Sequence, residues 1–259
     1  MKYFIFLCLF MPITLIAQQS GRMETDRPDQ TESPYLTKKH FLQAEIGFNT
    51  EKHNGLKTLV HPTALWKYGL TTKFELRLTT ELQTQELPFF ISPSIGYKKE
   101  RGLLPIEVGG KLLISEEKGL LPKTSLIFHV GLPKVASAFF KASKLAPNFR
   151  FVMQNSINEN IGIGYNLGAE WDGESNKPYW IYTFAPGFNL GKKWYGYVEV
   201  FGEVRKSEKP AHALDGGIAY YFSDNTKIDF SAGFGISKAA VDHYAAIGFS
   251  FRLPVKAKK

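Results

Sequence analysis

The sequence is poor in the features that would give it thiol, metal or helical-membrane chemistry. It has a single cysteine, Cys8, inside an N-terminal apolar run, so the remainder of the chain contains no thiol. That excludes a disulfide framework, thiolate metal ligation and thiol catalysis. No second stretch of about 18 apolar residues follows, so no transmembrane helix is expected. The six histidines are dispersed, with no ligand spacing, and neither a metal site nor a cofactor is expected. Lys and Arg outnumber Asp and Glu by 32 to 24, a formal charge of +8, but the excess sits in turns and in the Lys256–Lys259 tail. Without a basic stripe, nucleic acid is not an expected partner; solubility or an anionic membrane surface accounts for the balance.

What is present is alternation. The stretch Tyr244 to Leu253 places Ala245, Ile247, Phe249, Phe251 and Leu253 on one face of a strand, with Tyr244, Ala246, Gly248, Ser250 and Arg252 on the other. The same pattern recurs from His40 onward. Strands are expected at 41–49, 56–67, 73–82, 106–115, 124–131, 148–156, 160–171, 178–190, 194–204, 213–222, 227–236 and 244–253. The segment 56–67 is less clean, because Leu59 and Leu65 share a face with Lys57, His61 and Lys67. In 178–190, Pro186 lacks a donor for the ladder and is expected to mark a bulge.

The sign of the alternation decides the fold. In the clean strands the charged residues oppose the Ile/Leu/Val/Phe face. A charge on a lipid face costs roughly 2–4 kcal/mol near the midplane, so its consistent absence there points to lipid outside and water inside. The expected fold is therefore all-β: a single antiparallel transmembrane β-barrel of about 12 strands, following a cleaved signal peptide. Turn lengths agree. They put short connections on the periplasmic side and longer ones outside, including Thr50–Gly55, Gln83–Pro105 and Leu132–Pro147. Residues 89–98 read as a further strand, but one more would break the parity, so they are placed in an outer loop extending above the membrane. Trp66, Trp171, Trp180 and Trp194, with Tyr68, Tyr179, Tyr195, Tyr220 and Tyr244, lie near strand ends, as two interfacial girdles require.

Four regions follow. Residues 1–17 have the layout of a signal peptide: a basic start, the apolar run Phe4–Ile16, and Ala17 at the cut, with Leu15 leaving the cleavage site open. Ile5-Phe6-Leu7 lacks the small residues that precede a lipid-modified cysteine. Residues 18–39 form a polar segment, 40–253 the barrel, and 254–259 a basic tail.

The polar segment carries Asp26, Arg27, Asp29 and Glu32 together with Pro28 and Pro34, and is expected to enter the lumen as a plug or gate. The inward faces offer it partners of both signs: Lys57, Lys73, Glu75, Arg77, Lys111, Arg150, Glu199, Glu203, Lys227, Asp229 and Arg252. Of these, Glu75, Arg77, Lys111, Arg150, Glu199, Asp229 and Arg252 are the candidate lumen path. Arg77 or Arg150 gripping Asp26 or Asp29 would be a clamp through paired hydrogen bonds. A segment hanging in the periplasm, with lumen charges pairing among themselves, is the alternative.

No catalytic residue is expected. Ser125 and His129 share a face, but by this register it is the lumen face, and no His-x-Ser pair occurs on a strand. His212 and His243 could meet at the outer rim without chemical consequence.

Glu24-Thr-Asp-Arg-Pro-Asp-Gln-Thr-Glu32, Lys67-Tyr-Gly-Leu-Thr-Thr-Lys-Phe-Glu-Leu-Arg77, Gly164-Tyr-Asn-Leu-Gly168 and Gly248-Phe-Ser-Phe-Arg252 resemble a Bacteroidetes-type outer-membrane family labelled "transporter" or "meta-pathway of phenol degradation". The resemblance spans essentially the whole chain after the signal peptide. It implies a channel-like protein for small, hydrophobic or aromatic molecules. The expected function is thus passive passage of a small-molecule solute across a Gram-negative outer membrane, with outer-membrane lipid and the barrel assembly machinery as partners. A structural or assembly barrel with a blocked lumen is the alternative, and a lipid-modifying enzyme comes third.

Overall fold

The computed structural model describes residues 21–91, 94–206 and 208–255; the proposed signal peptide and most of the basic tail lie outside them. The described residues form 13 strands. In chain order these are β1 (Phe41–His53), β2 (Leu56–Gly69), β3 (Phe74–Ile91), β4 (Ser94–Leu103), β5 (Ile106–Ser115), β6 (Lys123–Leu132) and β7 (Ala146–Ser156). They continue as β8 (Ile161–Glu170), β9 (Tyr179–Leu190), β10 (Trp194–Arg205), β11 (Ala211–Ser223), β12 (Thr226–Gly235) and β13 (His243–Pro254).

Every pairing between these strands is antiparallel. The sheet closes because β1 pairs with both β13 and β2, and β2 with β3. β3 is twice used. Its first half, Phe74–Thr79, pairs with β5, and its second half, Leu82–Ile91, turns back on β4. The 13 strands less β4 leave a closed wall of 12. The expected outer loop over 89–98 is thus a β-hairpin arm that continues β3 beyond the wall and preserves the parity.

The wall is inside-out relative to a soluble protein. Leu76, Phe151, Val198, Ile218, Phe230 and Ile247 point outward and are exposed, whereas Lys67, Glu75, Lys111, Glu199, Lys227 and Asp229 point inward and are buried. Among the described residues the buried apolar cluster is Met23, Ala219 and Tyr221, with Tyr195 packed against it. Trp194 packs at a tilt against Tyr220 at one rim (ring centroids 4.8 Å apart), and Trp171 meets Phe149 at the other. Three of the tyrosines expected in the girdles belong elsewhere: Tyr179, Tyr195 and Tyr244 share the faces of Glu203, Met23's pocket and Asp215, and look inward.

Three local expectations change. The outer loop Thr50–Gly55 shrinks to the pair Asn54-Gly55, both at positive φ (49° and 82°), the conformation that joins two strands in a tight hairpin. Pro186 makes no bulge: it pairs with Ile163, and the β9–β10 register is the same on either side of it. The bulge lies instead at His61-Pro62, where the β2–β3 register shifts between Val60 and Thr63. The extra residue flips the face of everything before it, so Lys67 and Leu65 point inward while Lys57 and Leu59 point outward. Lys57, expected in the lumen, sits opposite Glu86 on the outward face.

Candidate functional site

The chain from Gly21 to Lys39 runs inside the wall before entering β1. It starts at the rim shared by both ends of the barrel. There Arg252 Nη2 donates to the Gly21 carbonyl (2.6 Å), and the Arg22 guanidinium lies 4.2 Å over the Tyr221 ring while donating to Asn189 (2.6 Å). Met23 is fully buried against Ala219 and Tyr221. Beyond it the segment turns through 26–33 and returns, so that Ser33 N–H donates to Asp26 Oδ1 at 3.0 Å.

Asp26 is the centre of the site. Its Oδ2 accepts from Lys67 Nζ and Arg77 Nη1, each at 2.9 Å, and its Oδ1 from Lys111 Nζ at 3.0 Å. The main-chain N–H groups of Asp26 and Arg27 donate to Glu45 Oε2 at 2.9 and 3.0 Å, and Lys67 also pairs with Glu45. Arg77 reaches a second segment carboxylate, Glu32, at 2.7 Å, and its Nε donates to His129 Nε2 at 3.0 Å. These cations come from adjacent wall strands: Lys67 on β2, Arg77 on β3 and Lys111 on β5, with Lys67 directly paired to Arg77. An isolated charge would be prohibitive at this depth; three cations interleaved with carboxylates satisfy one another.

The opposite wall is lined by carboxylates. Glu199 on β10 accepts from Gln30 N–H (2.8 Å) and from the Thr31 hydroxyl (2.5 Å). Asp215, its partner across β11, accepts from the hydroxyls of Tyr197 (3.1 Å) and Tyr244. Asp229 on β12 pairs with Arg27 at 2.9 Å. Arg27 fits because Gly47 and Gly248, directly paired across β1 and β13, present no side chain: a Cβ on either would collide with the guanidinium. Lys227 closes this wall on the Arg27 carbonyl and the Thr25 hydroxyl.

Of the expected lumen residues, Glu75, Arg77, Lys111, Arg150, Glu199 and Asp229 therefore all meet the segment: Glu75 through Thr37 N–H (2.5 Å), and Arg150 through the Gln30 carbonyl (3.1 Å) and Glu32 (3.7 Å). Arg252 stands at the rim rather than along the path, and Lys73 lies exposed in the turn before β3. Arg77 grips Asp26 and Glu32 through one nitrogen each, so no carboxylate is held by two parallel bonds from this arginine. Neither arginine pairs with Asp29. Ser125 spends its hydroxyl on the Pro34 carbonyl (2.7 Å), His129 accepts from Arg77, and His212 hydrogen-bonds Tyr182 (2.7 Å). Among the described residues no cluster of His, Asp and Glu has the arrangement of a metal site.

Sequence reasoning missed Lys67, Glu45, Asp215 and the Gly47/Gly248 bay as parts of the site. Lys67 was hidden by the bulge; Glu45 was visible on the polar face of β1. The glycine bay depends on β1–β13 register, which no local pattern reveals.

On the far side of the segment the lumen opens into a cavity of about 380 Å³, bounded by Gln30, Arg150, Glu170, Tyr179, Ile181 and Phe201. The loop after β12 leans into this mouth, with the Ala240 carbonyl 2.9 Å from His53 Nδ1.

A closed 12-strand antiparallel wall, apolar outside and polar within, defines an outer-membrane β-barrel. Residues 25–253 match the model of the family described as MetA-pathway of phenol degradation, and the chain belongs to that family. No curated protein matches it in sequence. Its fold is similar to that of an outer membrane channel from Pseudomonas putida F1 (TM-score 0.64, 8% identity, covering 87% of this chain and 99% of that one). It is also similar to the KdgM porin in complex with disordered oligogalacturonate (TM-score 0.51, 12% identity, 80% and 98%) and to the NanC porin (TM-score 0.50, 8% identity, 82% and 100%). At these identities the likeness concerns the fold.

Proposed function

We propose that this protein is a passive outer-membrane channel for small hydrophobic or aromatic molecules, with residues 24–34 acting as a removable plug. One observation carries the reading. The chain segment inside the wall is held through hydrogen bonds and ion pairs, not by an interlocked apolar core. The neutral hydrogen bonds of this set exchange with water at little net cost once water enters, and the buried ion pairs release only where water or an anion replaces the lost partner. Eight-stranded barrels are filled by side chains and those of 16–18 strands hold open water; a wall of 12 has room for one inserted segment and, without it, for a path. The label of the family supports an aromatic solute, and the outer cavity, with Tyr179, Ile181 and Phe201 beside Arg150 and Glu170, has the size and mixed lining of a small-molecule vestibule. The fold neighbours are channels and porins, which favours transport over catalysis.

Deletion of residues 22–34, with the cleavage region kept, tests the reading in planar bilayers. A plug predicts a several-fold rise in single-channel conductance and a lower melting temperature of a barrel that still assembles. A deleted barrel that melts lower yet passes no ion or solute would replace the channel with a structural barrel. Unchanged melting and conductance would reduce the segment to a tether.

A further inference from the structure

We propose that Lys67, Arg77 and Lys111 form a carboxylate-binding site in the constriction, occupied at rest by Asp26 and in transit by a small organic carboxylate such as an aromatic acid. This rests on the channel reading and names its solute class.

Lys111 is the key residue. It is fully buried, and among the described residues all its polar partners belong to the segment: Asp26 Oδ1 at 3.0 Å and the carbonyls of Ser33 and Tyr35 at 2.7 and 3.4 Å. The nearby wall carboxylates, one of them directly opposite Lys111, make other contacts while the segment is seated. Glu45 meets Lys67 and two main-chain N–H groups; Glu75 meets Arg77 and Thr37 N–H. With the segment seated, the three cations face four carboxylates: Asp26, Glu32, Glu45 and Glu75. When it withdraws, Asp26 and Glu32 leave with it, and three cations face two. The constriction then carries one net positive charge: Glu75, directly opposite Lys111 across β3 and β5, and Glu45 are shared among three cations. Such a surplus calls for an anion or for bulk water.

The donor geometry selects the anion. Lys67 and Arg77 converge on one oxygen of Asp26 and Lys111 on the other, a set matched to two oxygens on a planar carboxylate. An approach exists from the outer cavity. Arg150 borders it and lies 3.7 Å from Glu32, which in turn lies 2.7 Å from Arg77. Glu32 and Asp26 thus occupy successive steps of one path, Arg150 to Arg77 to Lys111. The aromatic and aliphatic side chains of the cavity would receive the uncharged body of the solute while its carboxylate engages Arg150.

The test uses the full-length barrel with Asp26→Ala, which empties the site but keeps its donors. Sodium benzoate is compared with benzyl alcohol, at constant ionic strength with chloride as the background anion. Benzoate should block single-channel current at concentrations about tenfold lower than benzyl alcohol, the effect of a charge-assisted hydrogen-bond set. Adding Lys111→Met to Asp26→Ala should remove that preference. Equal block by the two probes, or a preference that survives Lys111→Met, would overturn the site. If Asp26→Ala does not conduct, its melting temperature in detergent decides: a rise with benzoate and none with benzyl alcohol supports the site, and no difference rejects it. Conductance of the 22–34 deletion in potassium chloride judges the channel reading separately, so a conducting pore indifferent to benzoate would sink the site alone.

Discussion

On one side of the lumen, β2, β3 and β5 hold Asp26 with three cations; on the other, β10 and β12 hold Thr31 and Gln30 with a carboxylate and Arg27 with another. The first grip is charge on charge at full burial. Neither partner can be removed without stranding the other, and a stranded buried charge costs several kcal/mol. At Glu199 the second grip is charge on neutral donors, a main-chain N–H and a hydroxyl, which a neutral amide acceptor can also serve. The cation side therefore behaves as an anchor and the Glu199 side as a latch. A segment fastened this way is expected to swing from the latch side first, keeping Asp26 seated until an anion or water replaces it.

The comparison can be broken most forcefully at Arg77. Arg77→Met leaves Asp26 short of one donor, Glu32 of its closest cation, and Glu75 without its guanidinium contact. Loss of about 3–5 kcal/mol is expected, with a correspondingly lower melting temperature in detergent and raised conductance. A loss below about 1 kcal/mol, the range of an exposed pair, would mean that water already screens the site and that anchor and latch are equivalent.

Gly248→Val comes next. The glycine lies beside Gly47 and Asp229, and a side chain there occupies the space of the Arg27 guanidinium. Overpacking of about 1–3 kcal/mol is expected, and Arg27 is driven off Asp229 while the barrel wall stays intact. The readout is melting temperature together with conductance. A variant as stable and as closed as the parent would show that the bay is incidental.

The latch is tested by Glu199→Gln. The amide oxygen still accepts one of the two bonds, so the cost is about 0.5–1.5 kcal/mol, and relief from the neighbouring Asp215 offsets part of it. Conductance, more than stability, should respond, through more frequent brief openings. If Glu199→Gln destabilises as much as Arg77→Met, the asymmetry between the two walls is wrong.

Much of this was legible because a membrane barrel writes its faces into alternate residues. The twelve wall strands and the inward charges from Glu75 to Asp229 could be read from a period of two, and the dense charge of Asp26–Glu32 from composition. What could not be read depends on a single residue's displacement or on partners far apart in sequence. The bulge at Val60/Thr63 reversed Lys57 and hid Lys67. The hairpin of β3 on β4 arises because β3 outruns the wall, a matter of strand length rather than of pattern. Pro186 stays paired with Ile163 on β8, and the β9–β10 pairing keeps one register on either side of it, so a residue that usually signals a bulge leaves the register unchanged. The pairing of Arg27 with Asp229 joins residues 202 apart through a glycine bay that exists only when the barrel closes.

The smallest expected effect lies outside both walls. Asp172, in the loop between β8 and β9, accepts from the N–H groups of Ser175 (2.8 Å) and Glu174 (2.9 Å) and pairs with Arg205 at 3.2 Å. The Ser175 N–H foremost, with Glu174 N–H and Arg205 adding to it against a small desolvation, holds its carboxyl below the usual aspartate range. A carboxyl with a lowered folded-state value stabilises the protein at every pH above the unfolded value, and loses that contribution as pH falls through the folded one. Asp172→Asn keeps an acceptor for the two N–H groups and loses the exposed ion pair, so it should cost about 0–1 kcal/mol at neutral pH. The difference from the parent should vanish as pH falls through the lowered folded-state value of Asp172, where the parent is protonated as well. Conductance should be unchanged at all pH values, because the loop touches neither Asp26 nor Glu199. A change in conductance with no change in melting would make this loop a third point of control and turn the comparison of two walls into one of two walls and a lid.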